Sequence, residues 1–152
     1  MKKKKTIIKK PLITIITVVK NDQNKIFNTL KSVFEQTYKK FQYIVIDGNS
    51  EDGTLKILNK NKNNIDLLIS QSDKNLWEAM NKGILHSKGE IIGIINSGDV
   101  FYKNTLKIVR KYFKNIKKLD FLFGPVKKER ILFRFEPEKI NYRFNIYPSH
   151  ST

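Results

Sequence analysis

Two aspartates stand where short apolar runs end, at positions suited to meeting a ligand. Glu90 to Ile95, in which four isoleucines interrupted only by Gly93 follow the opening acid, reads as a strand buried on both faces. Asn96-Ser97-Gly98-Asp99 breaks that run and leaves a lone carboxylate at its carboxyl end. Phe41 to Ile46 reads as another strand, closed by Asp47-Gly48-Asn49-Ser50-Glu51-Asp52-Gly53-Thr54. In open α/β sheets ligands sit outside the carboxyl ends of the strands. A carboxylate such as Asp47 can there accept from an imide or amine, while Ser50 and Asp52 can satisfy backbone amides at the start of the next helix. Asp73 precedes a further helix, where it is either a neighbour of the cap or a ligand contact.

The elements that must position these residues alternate. Leu12 to Val19 is continuous and β-branched, as expected of a central parallel strand. Ile26, Phe27, Leu30, Val33 and Phe34 then mark one face of a helix. After the Asp47 loop come a short helix with Leu55, Ile57 and Leu58, a polar Asn/Lys linker, and a strand at Ile65 to Ile69. Trp77, Met80, Ile84 and Leu85 fall near helical spacing, Gly89 punctuates the end of that helix, and Trp77 and Met80 read as core. Asn81 interrupts the apolar face and is a poor helix former, so it is either a satisfied structural residue or one with a use at the site. Beyond Asp99, Leu106, Ile108, Val109, Tyr112 and Phe113 mark one more amphipathic helix. Phe121 to Phe123 and Ile131 to Phe135 read as an antiparallel addition to the sheet. Strands alternating with helices predict a mostly parallel sheet with helices on both faces.

Composition bounds the partners. The 152 residues suit one domain, 1–152, and the lack of cysteine excludes disulfides and thiolate metal sites and fits a reducing, cytoplasmic compartment. Thirty basic residues against 14 acidic ones give a formal net charge of +16. That balance implies polyanionic company: nucleic acid, an anionic membrane face or phosphorylated ligands, unless it is simply a bias toward solvated lysines. Arginine is scarce (Arg110, Arg130, Arg134 and Arg143), which speaks against sequence-specific reading of bases. The basic leader Lys2 to Lys5 resembles a signal peptide only superficially. Lys9, Lys10 and Pro11 intervene, no small-residue cleavage site follows, and the apolar run is too short to span a bilayer. Neither G-x-G-x-x-G after the first strand nor a P-loop pattern occurs.

The stretch DKNLWEAMNKGILHSKGEIIGIINSGD, residues 73–99, resembles the central signature of the family 2 glycosyltransferases, inverting nucleotide-sugar enzymes of Rossmann-like GT-A fold. Asp73, Ala79, Met80, Asn81, Lys82, Gly83, Gly89 and Asp99 match that pattern. Asn75 stands where glycine is usual, Ser87 where alanine is usual, and Gly98 where many members carry another Asp. ITIITVVKND resembles the family's opening strand, which implies that Thr17 and Val19 lie against the nucleotide base, with Lys20 in place of an aromatic residue. The Asp47 loop resembles D-[DG]-x-S-x-D-G-T, which gives Asp47 the bond to the base. Asp73 and Asn81 inherit contacts to the sugar nucleotide. Asp99 inherits a divalent ion, Mn or Mg, that neutralises the donor diphosphate, and such ions need only one or two carboxylates beside phosphate and water. His150, in Pro148-Ser149-His150-Ser151-Thr152, resembles the H-[QS]-[ST] motif whose histidine approaches metal and diphosphate; His86 reads as a solvated helix residue.

The resemblance implies transfer of a sugar from a nucleoside-diphosphate sugar to a hydroxyl of a cell-surface polysaccharide, such as lipopolysaccharide, or of a lipid-linked glycan, with possible peripheral contact at an anionic membrane. Two alternatives stay open: a nucleotide-sugar-binding fragment without activity, and a basic nucleic-acid-binding module. In the family the catalytic base lies downstream of the histidine motif. Thr152 ends this chain two residues past His150, so the expectation is donor binding with little transfer.

Overall fold

The structure, a computed structural model, describes residues 13–116, 118–122, 126–128 and 131–133. The chain packs as two units, the first ending at Lys117. In the first, strands β1 (Ile13–Val19), β2 (Phe41–Asp47), β3 (Leu67–Ser70) and β4 (Ile91–Asn96) form one parallel sheet in the order β3-β2-β1-β4. Helices α1 (Ile26–Phe34), α2 (Thr54–Lys60), α3 (Leu76–Leu85) and α4 (Thr105–Asn115) connect and follow the strands.

Strand alternation sorts the core into two layers. Ile13, Ile15, Val19, Tyr43 and Val45 face one side, against Ile26, Leu30 and Val33 of α1, Leu58 of α2 and Leu106 of α4. Ile16, Val18, Ile44 and Ile46 face the other, under Ala79 and Met80 of α3. The expected α/β architecture, with helices on both faces, is therefore present. Phe27, placed by periodicity on the buried face of α1, is instead half exposed.

Helix α3 lies close to the sheet because its contact face is made of small residues. A Cβ on Gly83 would stand 2.5 Å from Ile16 Cγ2. Ala79 and Gly83 are buried, and Trp77, on the opposite side of the helix, is 70% exposed rather than core. The helix starts on Asn75, whose side chain accepts from Glu78 N at 3.0 Å, while Glu78 Oε2 accepts from Lys74 N at 2.7 Å. This reciprocal pair is close to a capping box, so Asn75 is functional as a cap where glycine is usual. The helix ends at Leu85, short of Gly89. The Gly89 amide instead donates to Thr14 Oγ1 on β1 (2.9 Å), joining a buried cluster in which Thr14 Oγ1 donates to Gln42 Oε1.

Two expectations need correction. β4 is not buried on both faces: it is an outer strand among the described residues, and Ile92 and Ile94 are 41% and 40% exposed. Helix α3 packs mainly on β1 and β2. The second correction concerns the antiparallel strands. These are β5 (Val126–Lys128) and β6 (Ile131–Phe133), a two-stranded sheet of their own rather than an addition to the main one, and Phe121 and Leu122 lie outside any strand.

Candidate nucleotide-sugar site

The carboxyl ends of β1, β2 and β4 are tied into one surface by their exit loops. Backbone pairing continues one step past the strands: Gly48 N donates to Val19 O, and Ser97 N to Val18 O. Between the β1 and β2 loops runs a row of side-chain bonds. Asn21 N donates to Ser50 Oγ and Glu51 N to Asn21 Oδ1; Asp22 N donates to Thr54 Oγ1; Gln23 N donates to Asp52 Oδ2 and Gly53 N to Gln23 Oε1. Asn21 adopts φ 50°, a left-handed conformation that asparagine tolerates better than most residues. These polar side chains satisfy loop amides that a sheet ladder cannot reach.

Asp47 occupies the floor of this surface. It is fully buried at the end of β2, paired in register with Val19. Three donors converge on its carboxylate: Ser50 Oγ on Oδ1, and Ser50 N (3.1 Å) and Ser70 Oγ (2.6 Å) on Oδ2. Ser50 therefore bridges Asp47 and Asn21 rather than capping α2. Asp52 does cap, accepting from Thr54 N at 2.8 Å, and hydrogen bonding to Thr54 foremost holds its carboxyl below the ordinary value of 3.8.

The β4 loop is held from α1. Thr29 Oγ1 donates to Asp99 O (2.8 Å) and accepts from Gly98 N (3.0 Å). One turn on, Ser32 Oγ accepts from Phe101 N, and Gln36 bonds Tyr102 O and Leu106 N. Thr29, Ser32 and Gln36 were not identified from the sequence; their i, i+3, i+7 spacing on an otherwise apolar face is the signal that marks them. Gly98 has φ 93°, which a residue with a side chain adopts only with strain, so the aspartate common at this place in the family pattern does not suit this turn. Asp99 is exposed, and its carboxylate has no hydrogen bond or ion pair among the described residues. A second acid, Asp22, stands beside the same turn and accepts from Ser97 Oγ at 2.7 Å.

The remaining predicted residues are scattered. Thr17 is fully buried, its hydroxyl 2.8 Å from Tyr43 Oη, which places it in the core beneath the surface. The Asp73 side chain is 6% exposed and ion-paired with Lys82 at 2.6 Å, with no hydrogen-bond donor aligned on either oxygen. Asn81 lies on the exposed side of α3, so it does not break an apolar face and carries no burial cost. His86 is the exposed C-cap of α3. His150 lies outside the described residues.

Residues 14–150 match Glycosyl transferase family 2. The chain belongs to that family. Among curated relatives, this family 2 chain is 28% identical over 137 residues to the UDP-Glc:alpha-D-GlcNAc-diphosphoundecaprenol beta-1,3-glucosyltransferase WfgD of Escherichia coli, covering 86% of this chain and 53% of WfgD. It is 34% identical over 92 residues to an uncharacterized glycosyltransferase of Mycobacterium tuberculosis, covering 60% of this chain and 35% of the relative. The chain thus spans between about a third and about half of these relatives. Among solved structures, S. aureus TarS 1-349 in complex with UDP gives a TM-score of 0.61 at 28% identity, covering 67% of this chain and 32% of TarS. A mannosyltransferase of Pyrobaculum calidifontis in complex with GDP-Man and Mn2+ shares the fold, with TM-score 0.64 at 24% identity over 71% of this chain and 34% of that one. Among the described residues no helix of the family 2 chain is long and apolar enough to cross a membrane, and no group of three or more His, Cys, Asp or Glu could hold a metal ion.

Proposed function

We propose that residues 1–152 are one donor-binding glycosyltransferase domain, which takes a nucleoside-diphosphate sugar across the carboxyl ends of β2, β1 and β4 and serves its transfer to a hydroxyl of a surface polysaccharide or lipid-linked glycan. The observation that carries this reading is the placement of Asp47 and Asp99 on either side of β1, in loops that hydrogen bonds tie together, within a chain of this family. The family match runs across both packed units. WfgD, by its name, uses UDP-glucose on a lipid-diphosphate acceptor, and TarS and the mannosyltransferase were solved with UDP and GDP-Man; these lend the chemistry class.

Asp47 accepts from the base through its one unused acceptor position, since a carboxylate has about four lone-pair sites and Ser50 and Ser70 take three. Val19 forms the wall beside it. Asp73, with buried oxygens not fully hydrogen bonded, and the exposed Asn81 contact the sugar side. Asp99 presents a free carboxylate, and with Asp22 hydrogen-bonded to Ser97 in the same turn the donor set fits a manganese or magnesium ion held mostly by diphosphate oxygens and water. Such an ion, when bound, offsets the charge of the leaving diphosphate during direct displacement at the anomeric carbon. By family resemblance His150, outside the described residues, is the further candidate ligand for that ion. No carboxylate of this chain is assigned as base. The excess of lysine supports peripheral association with an anionic, cytoplasmic membrane face.

Titration calorimetry with UDP and GDP, with and without manganese, tests the reading. One of these nucleotides should bind more tightly with the ion present. Asp99→Asn should abolish that gain and Glu51→Gln should keep it. Equal affinity of wild type and Asp99→Asn in manganese would overturn the assignment.

A further inference from the structure

We propose that α4 is a membrane-docking helix whose outer flank lies on an anionic lipid surface. This deepens the peripheral-membrane part of the function above and rests on it. From Val100 to Asn115 the chain carries Lys103, Lys107, Arg110, Lys111 and Lys114 and no acidic residue. Helix α4 turns Leu106, Val109 and Phe113 to the core. That leaves Ile108, Tyr112 and Ile116, at i, i+4 and i+8, on one flank and 51%, 46% and 45% exposed. Lys107, Lys111 and Lys114 are exposed beside them.

A solvated polar face has no use for a row of exposed isoleucines and a tyrosine, and a nucleic-acid surface needs phosphate contacts rather than aliphatic ones. A helix with an apolar stripe, flanked by lysines and free of acids, suits the headgroup boundary of a bilayer. Apolar side chains enter there, lysine stems lie along the surface with their charge toward phosphates, and tyrosine sits with its hydroxyl in the wet layer. Charge complementarity names the occupant: the cations meet acidic headgroups, each contributing roughly 1 kcal/mol near such a surface. Position adds a reason, because α4 follows directly on the Asp99 loop. Docking it would hold the donor site against the bilayer, where a lipid-linked hydroxyl is presented.

The test is sedimentation of the whole chain with phosphatidylcholine vesicles, with and without phosphatidylglycerol, at low and at physiological salt. Wild type should partition onto the acidic vesicles only. Lys107→Gln/Lys111→Gln should weaken partitioning about 25-fold, about fivefold for each lysine. Ile108→Ser/Tyr112→Ser, which leaves the charge unchanged, should weaken it about tenfold at physiological salt. The control pair Lys56→Gln/Lys60→Gln, on exposed positions of α2, should have less than about a third of the effect of the α4 lysine pair. Equal effects of the α2 and α4 pairs would overturn the role of α4 while leaving membrane association standing. Failure to sediment with acidic vesicles would overturn both, yet leave nucleotide binding, measured separately, untouched. Tighter binding to duplex RNA than to vesicles, insensitive to Ile108→Ser/Tyr112→Ser, would overturn the proposal in favour of a nucleic-acid partner.

Discussion

Ser70 Oγ donates to Asp47 Oδ2 at 2.6 Å, across the pairing of β3 with β2. The bond holds the carboxylate that family resemblance reserves for a base, so the group proposed to meet the nucleotide also closes the floor of the sheet. Replacing Asp47 separates the two roles. Asp47→Ala should cost about 2–4 kcal/mol, because the Ser50 amide and two hydroxyls lose their acceptor. Asp47→Asn should keep most of the stability yet weaken nucleotide binding at least about tenfold, the scale of one charge-assisted hydrogen bond. Urea unfolding and nucleotide titration of both variants check this. Unchanged nucleotide affinity in Asp47→Asn would leave the residue a structural role alone.

Thr29 orients the Asp99 turn without touching a ligand. Thr29→Val keeps the shape but leaves Gly98 N and Asp99 O without their partner. The expected loss is about 1–3 kcal/mol of stability. Calorimetry should find the manganese-dependent gain in nucleotide affinity reduced, with metal-free affinity unchanged. A positioning role fails if both affinities match wild type.

Tyr43 supplies a pH signature. Burial pushes its phenol well above the ordinary 10.0, against the smaller opposing effect of the bond to Thr17. In the unfolded chain the group ionises near that ordinary value, while in the folded chain it stays protonated. Its contribution is therefore complete below pH 10 and declines as pH rises past it, by up to about 1.4 kcal/mol for each further unit. Tyr43→Phe should cost about 1–2 kcal/mol at neutral pH, since Thr17 loses its partner. The deficit should shrink above pH 10, as followed by urea midpoints. A deficit that stays constant to pH 11 would refute the assignment.

Gly89 is set by the closeness of β1. A Cβ there would stand 2.6 Å from Thr14 N and 2.7 Å from the Ile13 carbonyl carbon, both backbone atoms of a central strand. Gly89→Ala should therefore destabilise by about 3 kcal/mol and lower Tm by about 6–12 °C. Lys88→Ala, next to it and exposed, is the control in the same thermal scan.

Much of this protein was readable along the chain because the information is local. Continuous β-branched runs and 3.6-residue periodicity specify β1, β2, α1 and α3, and the carboxylates that follow β2 and β4 mark the ligand end of a parallel sheet. What the chain could not disclose depends on which surfaces meet. Trp77 fits a helix stripe yet projects outward, because Ala79 and Gly83 carry α3 onto β1 and β2. The strand at Ile91–Asn96 has the composition of a doubly covered strand, but its place as an outer strand among the described residues goes with Ile92 and Ile94 being exposed. Thr17 matches a motif in sequence, while the pleat turns its side chain to Tyr43 in the core. Thr29 and Ser32 of α1, and Gln36 just past its end, look like ordinary polar residues until folding brings residues 98–106 beside them, some 70 positions away. Periodicity records which face of an element is apolar; only the packed sheet decides which neighbour that face meets, and so which polar group is left to hold a ligand.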